Sequence, residues 1–159
     1  MDKKSQEVNQ VKIIVDTNIV FSAILNSSSK IGKILINSKE HFQFYTCDFL
    51  RTELFKHHSK IQSLTGLTDE ETEELELLIT ENIKFINEKL IPPKTILSTE
   101  ALLRNIDLGD VPFVALTKHL KGKLWTGDKK LIAGLQIKNY TDFITTYELS
   151  KLLDKLESK

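Results

Sequence analysis

Short β-branched runs alternate along the chain with stretches in which apolar residues return every three or four positions. Val11-Lys12-Ile13-Ile14-Val15 is compact and mostly apolar, the pattern of a buried strand. Asp16 follows it, then residues 18–25, apolar-rich and helical in spacing. Asn26-Ser27-Ser28-Ser29 is a loop or the cap of a helix on which Ile31, Ile34 and Leu35 recur. Residues 42–46 alternate aromatic and polar side chains like a strand, and Asp48 is placed to cap a helix carrying Phe49, Leu50, Glu53 and Leu54. After Gly66, Thr68 with Glu71 three residues on forms a capping box that opens a helix with Leu75, Leu78 and Ile79 on one face. Residues 83–86 form a short strand, Ile91-Pro92-Pro93 a loop, and Ser98 caps a helix reaching Arg104. A helix from Asp110 to Leu120, with Pro112 in its first turn, is followed by Gly122 and a strand over 123–126. A turn at Gly127-Asp128, a helix around residues 131–135, a strand over 143–146 and a leucine-bearing terminal helix complete the series.

This alternation, without internal repeat or linker, predicts a three-layer α/β/α domain around a mainly parallel sheet. One domain over residues 11–159 follows a polar tail, residues 1–10. A lone cysteine, Cys47, cannot make an internal disulfide, and no apolar run approaches the roughly 18 residues of a membrane span. With no secretory apolar stretch at the start either, the expectation is a soluble cytoplasmic protein with no membrane partner. The 22 basic and 22 acidic residues cancel, which removes the simplest argument for a nucleic-acid partner.

Ligands of open parallel sheets bind beyond the carboxyl ends of the strands. Asp16 and Asp128 each follow a strand directly, and Asp110 begins a helix that must run back toward that same edge. Each has an ordinary explanation as a turn or helix-cap residue, and Asp107 competes with Asp110 for the cap. Glu53, mid-helix, reads alone as a solvated surface acid.

These residues carry a resemblance. Ile13-Ile14-Val15-Asp16-Thr17-Asn18-Ile19-Val20 resembles the opening strand and Asp-Thr-Asn turn of the PIN-domain family. Asp107-Leu108-Gly109-Asp110-Val111-Pro112-Phe113-Val114-Ala115-Leu116, followed by Leu124-Trp125-Thr126-Gly127-Asp128-Lys129, fits that family in order and spacing. The likeness covers most of residues 11–146 and is weakest between Leu64 and Pro93. It implies a metal-dependent ribonuclease acting on RNA, often the toxin of a bacterial toxin–antitoxin pair held by an antitoxin protein. It carries over Asp16, Asp110 and Asp128 as site acids, Glu53 as the glutamate of the helix after the second strand, and Asp107 as an accessory acid. Asn18 and Thr126 match polar positions that orient acids or water.

Clustered carboxylates repel one another and are costly to desolvate unless a cation neutralises them. An oxygen-only set suits Mg2+ or Mn2+, and no Cys/His cluster suggests zinc. On this reading Asp16 is the central ligand, Asp110 and Asp128 complete the cluster, and Glu53 orients or deprotonates the attacking water. Lys129 and Lys130 are candidate phosphate contacts, with a solvated helix start as the alternative. His57-His58 reads as an exposed helix end, since adjacent helical side chains do not face one ligand. Trp125 and Cys47 read as core.

Two other functions compete. An aspartyl-phosphate domain would offer Asp-x-Asp or a mid-sheet phosphoacceptor, which Asp16-Thr17-Asn18 and the Asp110/Asp128 arrangement match poorly. A non-catalytic RNA- or protein-binding domain would keep the fold without the chemistry. The terminal helix suits core packing, a homodimer or an antitoxin contact. Setting aside the four proposed site acids and the seven in residues 69–81 leaves 11 acids against 22 bases. The neutral total therefore predicts segregated charge, with a basic RNA-facing surface away from an acidic helix.

Overall fold

The computed structural model describes residues 10–159; the polar tail expected over residues 1–10 lies outside that range except for Gln10. Five strands form one sheet: β1 (Val11–Val15), β2 (Phe42–Cys47), β3 (Ile83–Ile86), β4 (Lys123–Trp125) and β5 (Phe143–Ile144). Their order is β3-β2-β1-β4-β5 and every pairing is parallel. The chain moves outward from β1 to β3 and then crosses to β4, so the sheet reverses direction between β1 and β4. A crevice opens at such a switch point, at the carboxyl ends of the two diverging strands.

Between β1 and β2 lie α1 (Thr17–Leu25) and α2 (Lys30–Asn37). Three helices separate β2 from β3: α3 (Phe49–Lys56), α4 (His58–Thr65) and α5 (Asp69–Thr80). The return crossover holds α6 (Pro93–Leu103) and α7 (Val111–Leu120), followed after β4 by α8 (Lys129–Ile137) and after β5 by α9 (Thr146–Glu157). α1, α2 and α5 pack together and α9 joins α2, while α7 packs on β1, β2 and β4 and is flanked by α6. The expected three-layer arrangement results.

Central strands covered on both faces have no solvent side, hence the continuous apolar run Ile13, Ile14 and Val15, all fully buried. Val114, Ala115 and Leu116 of α7 and Trp125 of β4 are equally inaccessible. Trp125 donates its indole N–H to the Thr146 hydroxyl (3.0 Å), which satisfies its one polar atom. Gly122 permits a close approach: a Cβ there would sit 2.7 Å from the Lys12 carbonyl oxygen.

Several expectations are corrected locally. Ser98 is not a cap: α6 begins at Pro93, five residues earlier, because proline fixes a helical φ and lacks only an N–H that the first turn leaves free. Asp48 makes no side-chain cap bond; Glu88, from a 3-10 turn after β3, accepts the Phe49 N–H instead. On α5 the capping box forms as expected, but Leu78 is 45 % exposed and the inward stripe is Thr72, Leu75 and Ile79. The last strand stops at Ile144, because Thr145 caps α9 in a second capping box. Among the described residues, no single helix is long and apolar enough to cross a membrane.

Candidate active site

β1 delivers Asp16 to the carboxyl edge with its side chain 4 % exposed. The residue also starts α1, accepting the Ile19 N–H at 3.0 Å. Thr126, fully buried just after β4, favours the charged form of Asp16 and accepts the Asp128 N–H at 3.1 Å. One hydroxyl thus acts at both strand ends that flank the switch point. Asp128 is itself an N-cap, accepting from Lys130 (3.0 Å) and Leu131 (3.1 Å) through one oxygen.

The return helix supplies the third acid. Asp107 accepts the Gly109 N–H (2.8 Å) and sets the 3-10 turn Leu108–Asp110, so Asp107 is the side chain that caps here. Asp110 stands at the start of α7 without making a cap bond. Its Oδ2 is buried and, among the described residues, accepts no hydrogen bond. Glu53 arrives from α3, and Asp16, Asn18, Glu53, Asp107 and Asp110 line one small open cleft of about 140 Å³.

The carboxylates act on one another. Burial raises Asp16 to about 6, with Asp128 adding to the rise and the Ile19 N–H and Thr126 opposing it. Asp110 is raised to about 7, first by burial and then by the charges of Asp107, Asp16, Asp128 and Glu53. Asp128 therefore belongs to the same electrostatic cluster, although it does not line the cleft. Lys129 and Lys130 are exposed at the first turn of α8 and do not line it either.

Two residues of the cleft were given no site role from sequence. Thr17 lines the cleft with a buried hydroxyl that makes no hydrogen bond among the described residues. His57, expected at an exposed helix end, sits half-buried at the break between α3 and α4 and lines the cleft. Its ring meets Phe21 edge-on at 5.8 Å. Its position four residues after Glu53 is the signal that could have found it, because i and i+4 share a helix face. His58 turns elsewhere, to Asp69 (3.1 Å) and Glu76 (3.9 Å), so the two histidines do not face one ligand.

A hard divalent cation fits this donor set. The carboxylates offer oxygen donors, with His57 the one nitrogen donor on the lining; two acids are raised to about 6 and about 7 by burial and repulsion, and one buried carboxylate oxygen lacks a partner. Among the described residues no three acidic, histidine or cysteine side chains converge into a ready-made cage.

Fold and cleft together define a doubly wound α/β domain with a carboxylate cluster at its switch point. The sequence profile of the PIN domain matches residues 14–154, and the chain belongs to the PIN-domain family, whose members are typically nucleases and generally bind divalent metals. Among solved structures it is similar to the one described as "Crystal structure of PAE2754 from Pyrobaculum aerophilum". The TM-score is 0.63 at 16% identity, over 94% of this chain and 91% of that one, a likeness of fold. No curated protein matches the chain.

Proposed function

We propose that this PIN domain is a metal-dependent endoribonuclease that hydrolyses RNA phosphodiester bonds with Mg2+ or Mn2+. The observation that carries the proposal is Asp110: a half-buried carboxylate with one buried, unpartnered oxygen, lining one cleft with three other acids. Asp16 and Asp110 would hold the ion, with Asp128 and Asp107 contributing charge from the margin. When bound, the cation would neutralise these acids and supply Lewis-acid activation of water and of the leaving oxygen.

The protein's own groups have separable tasks. Asp16, buried and held by the α1 amide of Ile19, is fixed in place before any ligand arrives. Glu53, half-exposed at the cleft, is free to orient the attacking water or take its proton, acting as general base. Asn18, exposed at the rim, offers an amide to the substrate backbone. Lys129 and Lys130 at the start of α8 are placed to attract phosphate as point charges rather than bidentate forks.

Asp16→Asn tests this reading. Asparagine is as good an N-cap as aspartate, so the fold is expected to persist. Manganese-dependent cleavage of structured RNA should fall to background while circular dichroism is unchanged. Undiminished cleavage by highly purified Asp16→Asn would sink the assignment. A toxin role has its own test, an adjoining reading frame for a DNA-binding antitoxin whose co-expression relieves growth arrest.

A further inference from the structure

The helices between β2 and β3 carry a second feature that the cleft does not use. Phe55 is 84 % exposed and Leu77 70 % exposed. They line a groove of about 450 Å³ between α3 and α5, floored by Leu54 and Phe85. A second depression beside it shares Leu77, Phe85 and Arg51 and continues along Leu78. The Arg51 guanidinium lies 3.8 Å over the Phe85 ring, so its charge is stacked into the groove wall.

The rim is acidic and largely uncompensated. Glu73 and Glu76 border the first depression, Glu74 and Glu81 the second. Among the described residues the only ion pairs of α5 are those of His58 with Asp69 and Glu76, and no lysine or arginine pairs with a carboxylate. Glu76 Oε1 is buried at the groove and accepts no hydrogen bond among the described residues.

Apolar anchors ringed by carboxylates that pair with no lysine or arginine among the described residues select for one chemistry. Nucleic acid and anionic lipid are repelled by the rim. A two-fold contact between copies of this chain would set the same acidic helix against itself. A groove walled by two helices receives an amphipathic helix through apolar side chains at i, i+3, i+4 and i+7. We propose that the α3–α5 groove docks a basic amphipathic helix of another protein. Its apolar face lies on Phe55, Leu77 and Phe85, and its lysines or arginines pair with Glu73, Glu74 and Glu76.

The test uses a fluorescein-labelled leucine–lysine peptide about 18 residues long, patterned as an amphipathic helix. A matched peptide carries glutamate for lysine. Anisotropy with the full chain should show the lysine peptide binding at least about tenfold more tightly than the glutamate peptide. Affinity should weaken as salt rises from about 50 to about 500 mM. Two variants at exposed positions, Leu77→Ser and the pair Glu73→Lys/Glu74→Lys, should each weaken binding about tenfold or more with an unchanged melting temperature. Equal binding by wild type and both variants would overturn the proposal, as would equal binding of the glutamate peptide. So would self-association of the chain that Leu77→Ser abolishes. Cleavage of RNA is not the readout, so failure here and failure of the nuclease reading are distinct.

Discussion

The molecule concentrates aspartate and glutamate in two places, one enclosed and one mostly open to water. Four acids, from the end of β1, α3 and the turn before α7, are brought into the cleft by topology, and Asp128 at the end of β4 acts on them from beside it. On α5, Asp69, Glu70, Glu71, Glu73, Glu74 and Glu76 are consecutive neighbours on one helix. The first three complement the helix dipole and the others face water or the groove. Asp16 and Asp110 lose water and gain like-charged neighbours, so their protons are held more tightly, and burial moves Glu76 of α5 in the same direction. Asp69 gains His58 and Gln62 as hydrogen-bond donors and is held below its ordinary range. Acid content alone therefore says little about function; enclosure decides whether carboxylates demand a cation.

The sharpest way to break this contrast is chemical. Glu53→Gln keeps the size and hydrogen-bonding reach of the side chain but removes its base. It should lower the cleavage rate by about 10²–10⁴-fold with substrate affinity little changed. Glu70→Gln on α5 should leave the rate unaltered in the same single-turnover assay. Equal losses from both would erase the distinction.

Stability gives the next largest effect, and its sign differs between the enclosed pair Asp16 and Asp110 and the exposed Asp69. Asp16 and Asp110 are raised, so the folded state binds more protons than the unfolded one. Their contribution is present at low pH and is lost as pH rises from about 4 through 6 to 7. For Asp16, the loss is on the order of 2–3 kcal/mol by pH 8 in metal-free protein. Asp69 has the opposite sign: its contribution is present above its unfolded value and lost as pH falls through its lowered folded value. Metal-free Asp16→Asn should thus become increasingly more stable than wild type between pH 4 and pH 8 in urea titrations. A pH-independent difference would contradict the assignment.

Metal addition sharpens the same comparison. At about 100 times its dissociation constant a cation stabilises by about 2.7 kcal/mol, which raises the melting temperature of a domain this size by about 5–10 °C. Manganese should produce that rise in wild type and in Glu70→Gln, and little of it in Asp110→Asn. The smallest effect belongs to the α5 cap. Thr68→Ala removes the hydroxyl that accepts the Glu71 N–H at 3.1 Å and should cost about 1 kcal/mol without altering cleavage.

Local chemistry in the sequence was enough for most elements. The capping box at Thr68 and Glu71 and the fully apolar β1 are written in neighbouring residues, because caps and strand burial depend on contacts within a few positions. The acids at Asp16, Asp110 and Asp128 were legible because each ends or begins an element whose direction the parallel topology fixes. The errors fall where a distant side chain outcompeted a local one. Asp48 lost its capping role to Glu88, and Leu78 is left outside because Thr72, Leu75 and Ile79 meet the neighbouring helices. His57 entered the cleft because the chain breaks there between α3 and α4.

By itself the sequence determined the parallel α/β plan and which carboxylates stand at strand and helix ends. Tertiary structure alone decided that Asp110 is desolvated while Asp107 caps, that Asp128 raises Asp16 from across the switch point, and that the α5 acids ring an apolar groove. Periodicity and capping are properties of adjacent residues. Desolvation and charge repulsion depend on what else occupies the same few ångströms, and only the folded chain brings those groups together.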